Sequence, residues 1–162
     1  MKSQNLDELS QIVNLDKIEA AKNSINEANG LPNECYVNDE YFKIEREKVF
    51  FNNWIVVGVS SSVPEVGDAK PFNLMGIPLL ILRDKNNKIK VFHNVCSHRG
   101  MILVKEECKL KNTIRCPYHS WSYNFNGELI ATPHVGGMNI HETEGFIKSK
   151  SNLKEISSHV WM

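Results

Sequence analysis

No apolar run in this sequence approaches the roughly 20 residues that a membrane-spanning helix needs, so no membrane partner is expected. The opening residues, Met1-Lys2-Ser3-Gln4-Asn5-Leu6-Asp7-Glu8, are polar and lack the apolar stretch of a secretory signal. An excess of one charge is also lacking. The 19 basic and 19 acidic residues cancel, which gives nucleic acid no electrostatic footprint to bind. Cysteine is scarce, at four residues, so a disulfide scaffold is not expected. Two of the four, Cys35 and Cys108, are expected as free thiols in a reducing, cytoplasmic setting. Internal repeats and low-complexity tracts are absent. What is present is a hydrophobic share of 41% over 162 residues, enough for one domain with extra elements attached.

Three stretches differ in their periodicity. Over residues 6–28, Leu6, Leu9, Ile12, Val13, Ile18, Ala21 and Ile25 fall near helical spacing, and Asn29-Gly30-Leu31-Pro32 reads as the stop. A second helix is expected over residues 39–51, capped by Asn38 or Asp39. Strands follow at residues 54–59, 77–83, 88–95, 113–116 and 121–125. Pro64, Gly67-Asp68 and Pro71 mark a long loop, residues 84–87 a hairpin turn, and Asn126-Gly127 a type I′ turn. The expected fold is mainly β. It is a small antiparallel domain over residues 52–135, with a helical extension at 1–51 and a tail at 136–162. Residues 157–162 read as the entry to a further strand that has been cut.

Two ligand pairs lie between these strands: Cys96-Ser97-His98 and Cys116-Pro117-Tyr118-His119. Two thiolates and two imidazoles are the ligand set of a Rieske 2Fe–2S cluster, with two cysteines on one iron and two histidines on the other. Neutral imidazoles leave that cluster less negative and easier to reduce. The spacing fits two hairpin-like loops, with Gly100 allowing a tight bend and Pro117 stiffening the second tip. Zinc also accepts two cysteines and two histidines. A zinc finger groups its histidines on a helix, however, and here they alternate with the cysteines. Cys96, His98, Cys116 and His119 are therefore the candidate metal ligands.

The remaining polar residues have plainer readings. His93 precedes the first loop and is expected to be packed or hydrogen-bonded. His134 and His141, with Glu142 and Glu144, have the residue types of a two-histidine-one-carboxylate iron site but lack a regular scaffold. Arg99 is expected to hydrogen-bond the opposite loop, and Trp121 to pack beside the cluster and shield it. Lys105, Lys109, Lys111 and Arg115 alternate with Glu106 and Glu107 and read as a solvated face.

Over residues 36–137 the sequence resembles the large (α) subunits of Rieske non-haem iron oxygenases of the ring-hydroxylating type. The likeness runs through Trp54, Val57-Gly58, Gly76-Ile77-Pro78, residues 92–100, residues 116–121 and Asn126-Gly127-Glu128-Leu129. It implies a Rieske portion that takes electrons from a flavin/iron–sulfur reductase. Those electrons would pass to a mononuclear non-haem Fe(II) in an oxygenase catalytic domain, often within a homotrimer, in mono- or dioxygenase chemistry. The family's downstream two-histidine-one-aspartate motif has no match here, so no catalytic residue is assigned. Respiratory-chain Rieske proteins carry a bridged cysteine in each loop, where this chain has Met101 and Tyr118. They also carry a serine donor to cluster sulfur, where this chain has Trp121. Fewer donors imply a low potential, about −150 mV. A self-standing Rieske ferredoxin is the alternative; the extension of some fifty residues speaks against it.

Overall fold

The computed structural model describes residues 7–161. They divide at Val56/Val57 into two compact units.

The first unit is helical. Residues 7–10 are helical, and α1 spans Leu15–Ala20 behind Asn14, whose side chain accepts from the Lys17 N–H. The single helix expected over 6–28 is thus broken, with residue 6 outside the described residues. Asn14 caps a new helix in place of continuing the old one, because its short amide competes with the backbone ladder. Gly30 caps nothing, since α1 has already ended at Ala20. α2 spans Glu34–Val37 and α3 Asp39–Lys48. Asn38 Oδ1 accepts from the N–H groups of Glu40 and Tyr41 at 2.9 and 3.0 Å, satisfying two orphan donors of α3. The expected extension to residue 51 is a separate 3₁₀ turn, Phe50–Asn52.

The second unit is antiparallel β. β1 (Asp68–Leu74), β2 (Ile77–Arg83), β3 (Ile89–His93), β4 (Cys108–Lys109) and β8 (Glu155–Ile156) form a sheet in the order β4-β1-β2-β3-β8. β5 (Ile114–Arg115), β6 (Ser122–Tyr123) and β7 (Leu129–Ala131) form a second, three-stranded sheet. The fully buried Leu80, Leu82, Phe92, Ile114 and Tyr123 join the two sheets in one core.

Several local expectations change. β1 replaces the long loop: Pro71 is tolerated because β4 pairs only with Asp68 and Ala69, leaving no ladder to break at Pro71 on that edge. Residues 54–59 pair with no strand among the described residues, and Trp54 and Val56 are exposed. The Asn126-Gly127 turn is not type I′, since only Gly127 has positive φ (81°). Asn124 organises it: its Oδ1 accepts from the N–H groups of Asn126 and Glu128, and Gly127 N donates to Asn124 O. Asp84 does the same with Asn86, Lys88 and Asn87 (φ 62°), so one turn design serves both hairpins. The segment expected as a tail adds β8 to the sheet edge beside β3 and buries Leu153. Residues 157–161 form no strand, and residue 162 lies outside the described residues.

Candidate metal centre

Both ligand loops grow from strand ends and share one backbone frame. Cys96 N donates to Met101 O at 2.8 Å, and Gly100 N to Cys96 O at 3.0 Å. In the second loop Cys116 N donates to Trp121 O at 2.8 Å, and Ser120 N to Cys116 O at 3.1 Å. The fifth residue of each loop is left-handed: Gly100 at φ 70° and Ser120 at φ 61°. Histidine is third in the first loop and fourth in the second, so equal frames present imidazoles from unequal positions. Asn94 secures the first loop from behind. It is buried, accepts from Val104 N at 3.0 Å and donates to Val104 O at 2.6 Å.

All four candidate ligands meet at one end of the core. Cys96 and Cys116 are 2% and 3% exposed, whereas His98 and His119 are only partly covered. Both thiols belong to one buried cluster, and the two imidazole centroids are 4.8 Å apart. Two buried sulfurs therefore sit beside two imidazoles whose rings are partly covered. Among the described residues no three His, Cys, Asp or Glu side chains gather around a single ion position. Two donors per iron is what a binuclear cluster requires. The His119 Nδ1 is buried without a hydrogen-bond partner. A buried orphan acceptor costs free energy, and a metal bond would satisfy it. The donor set thus fits a 2Fe–2S cluster held by two thiolates and two imidazoles.

The surroundings favour the neutral forms of Cys96 and His98. Burial pushes the Cys96 thiol up from its ordinary value, and the neighbouring Cys116 adds to the rise. Burial, then the charges of His119 and Arg99, push the His98 imidazole down. His98 stacks on Trp121 at 4.6 Å and 11°, and Trp121 meets Phe146 edge-on. Trp121 is buried in the position expected of it. Arg99 is exposed and makes no hydrogen bond to the second loop among the described residues. His93 is held through its N–H to Lys154 O and lies outside the site. His134 and His141 come together, ring centroids 5.2 Å apart, but each Nδ1 accepts a backbone N–H, from Asn139 and His134 respectively. Lys109 pairs with Glu65 and Asp68, in keeping with a solvated face.

One participant escaped sequence reasoning. The Tyr123 hydroxyl lies 3.3 Å from Cys96 Sγ and accepts the Ser97 N–H at 3.1 Å. Burial, then the contact with Cys96, push its phenol up to about 12. With Cys96 as thiolate, the phenol is the donor. A sulfur donor therefore exists although Trp121 supplies none. The available signal was Tyr123 on an inward face otherwise made of Trp121 and Phe125, where a buried phenol needs a partner.

Residues 53–144 match the Rieske [2Fe-2S] domain family. Chloroplastic choline monooxygenase of Arabidopsis thaliana is 32% identical over 130 residues, which is 80% of this chain and 29% of that protein. The biphenyl dioxygenase α subunit of Paraburkholderia xenovorans (strain LB400) is 33% identical over 116 residues, 71% of this chain and 25% of that one. The apo structure of a quaternary ammonium Rieske monooxygenase superposes with a TM-score of 0.70 at 30% identity, covering 79% of this chain and 36% of that chain. Naphthalene 1,2-dioxygenase from Rhodococcus sp. gives 0.72 at 27% identity, over 91% and 32%. The chain spans about a quarter to a third of the length of these relatives. No helix among the described residues is long and apolar enough to cross a membrane. With its paired thiols, paired imidazoles and antiparallel frame, this chain belongs to the Rieske iron–sulfur domain family.

Proposed function

We propose that Cys96 and Cys116 hold one iron of a Rieske 2Fe–2S cluster and His98 and His119 the other, and that the chain is the electron-transfer portion of a non-haem iron oxygenase α subunit. The observation that carries the ligand assignment is the pair of buried thiols beside two adjacent, partly covered imidazoles, with His119 Nδ1 buried and unpartnered. Such a cluster, when bound, accepts and releases one electron at a time. The protein's part is to hold the ligands in two preformed loops, exclude water with Trp121, and donate a hydrogen bond from Tyr123 to Cys96. The partly exposed histidines mark the face through which electrons pass. Relatives named as mono- and dioxygenase subunits support a flavin/iron–sulfur reductase as donor. They equally support a mononuclear iron in a catalytic domain as acceptor; a homotrimer of the full-length protein is part of the same proposal. Free Cys35 and Cys108 accord with a cytoplasmic setting. The relatives' names include quaternary ammonium compounds and aromatic hydrocarbons, and these are the substrate classes the reading favours.

The test is iron and acid-labile sulfide content with EPR of the reduced protein. Two irons and two sulfides per chain are expected. His98→Cys or His119→Cys should move the visible spectrum toward the all-thiolate type and lower the potential. Zinc without labile sulfide, or no change in either variant, would overturn the ligand assignment. Native protein from the source cells no longer than these 162 residues would overturn the oxygenase assignment and leave a carrier.

A further inference from the structure

The segment after the family match ends makes a set of contacts on the first ligand loop. Its 3₁₀ turn, Lys148–Ser151, leads into β8. Ser97 Oγ donates to Ser151 O at 2.8 Å, with Asn152 O farther off at 3.4 Å. On its other side the segment is pinned to the domain. Asn152 Oδ1 accepts from Leu129 N at 2.9 Å, Leu153 N donates to Gly127 O at 2.8 Å, and Lys154 O accepts from His93 N at 2.9 Å. Ser97 also stands between the two parts of the sulfur's environment. Its neighbour Cys96 is a proposed ligand, and its own N–H is donated to the hydroxyl of Tyr123. A hydroxyl has two lone pairs and one proton. With one lone pair committed to Ser97 N–H, the phenolic proton has Cys96 Sγ at 3.3 Å as its near acceptor, against Ser97 Oγ at 3.4 Å, a long contact for two oxygens.

We propose that residues 148–156 are a strap that fixes the first ligand loop through the Ser97 hydroxyl, making Ser97 a positioning residue for the hydrogen bond from Tyr123 to Cys96. The strap holds the Ser97 side chain, the Ser97 N–H holds the Tyr123 oxygen, and the aimed phenol proton favours the more negative, reduced state of the site. Without the Ser97 hydroxyl, the loop loses its short bond to the strap and the phenol loses its aim. The inference rests on Cys96 being an iron ligand, as proposed above.

The experiment is redox titration, followed by visible circular dichroism, of the cluster-loaded protein and four variants: Ser97→Ala, Ser97→Thr, Tyr123→Phe, and Ser97→Ala with Tyr123→Phe. Ser97→Ala should lower the midpoint potential by no more than Tyr123→Phe does. Ser97→Thr, which keeps the hydroxyl, should restore it. In the Tyr123→Phe background Ser97→Ala should add nothing, as two steps on one line of action require. An unchanged potential in Ser97→Ala overturns the proposal, and so does an equal fall in the Tyr123→Phe background. Failure of the ligand assignment looks different: wild-type protein would then show no Rieske spectrum at all, and both readings would fall together.

Discussion

Removing one oxygen atom, by Tyr123→Phe, isolates the contribution of a single hydrogen bond to the electron affinity of the site. The ring of Tyr123 is fully buried between the sheets, so Phe keeps the packing. The Ser97 N–H loses its acceptor in this variant, a cost to stability that a denaturation curve reads apart from the potential. What changes is the donor at 3.3 Å from Cys96 Sγ. A hydrogen bond contributes about 0.5–1.5 kcal/mol net. Its energy grows with the negative charge on the sulfur, so the reduced state loses more than the oxidised state. For a one-electron couple, about 1.4 kcal/mol corresponds to about 59 mV. The midpoint potential should therefore fall by about 20–60 mV. Protein-film voltammetry or dye-mediated titration resolves such a shift, and an unaltered visible spectrum would show that the ligands remain in place. A potential that stays the same, or rises, with a wild-type spectrum would refute the assignment of Tyr123 as a donor to the sulfur.

Asn94→Ala strands the N–H and C=O of buried Val104; a loss of about 2–4 kcal/mol in chemical denaturation is expected. Gly127→Ala places a Cβ 2.6 Å from the Phe92 ring at a φ of +81°, and should cost about 1–3 kcal/mol by the same measurement. In protein stripped of iron, Cys96 should alkylate more slowly than a model thiol at pH 8, because burial both withholds it from reagent and pushes its thiol up; mass-resolved labelling with iodoacetamide, native against unfolded, measures the difference. The Asp68 carboxylate is held below its ordinary value by the Glu65 N–H first and Lys109 second. Its contribution is therefore present above the ordinary carboxylate range and lost as pH falls through its own lowered value; Asp68→Asn should flatten the acid limb of a stability–pH curve.

The two candidate ligand loops were legible as turns between short strands because chemistry and spacing coincide there: two cysteines, two histidines, and turn residues. Tyr123 was hidden because its partner lies 27 residues back in sequence, and alternation alone reads an inward tyrosine as packing. β1 was hidden because Gly67 and Pro71 imitate a loop; only the pairing pattern shows that Pro71 meets a free edge. Residues 54–59 failed in the opposite sense, since β-branched residues give strand propensity but cannot supply a neighbour to pair with. β8 and the strap before it carry too few apolar residues to announce themselves. Leu153 alone is buried, and the rest of the attachment is backbone hydrogen bonding. The long amphipathic pattern of residues 6–28 misled because Asn14 caps more strongly than the apolar spacing extends.

The burial of both candidate thiols bears on how such a site would be filled in the cell. Each loop is already closed by its own backbone hydrogen bonds, so the metal finds its ligands arranged and loses little chain entropy in binding. Yet a scaffold protein handing over a preassembled cluster must first exchange thiolates, and Cys96 and Cys116 offer almost no surface to an incoming donor. Delivery then demands that one loop swing outward, or that the cluster arrive while the chain is still folding. If Cys96 and Cys116 are the ligands, their burial makes cluster delivery, rather than affinity, the step that limits filling of the site.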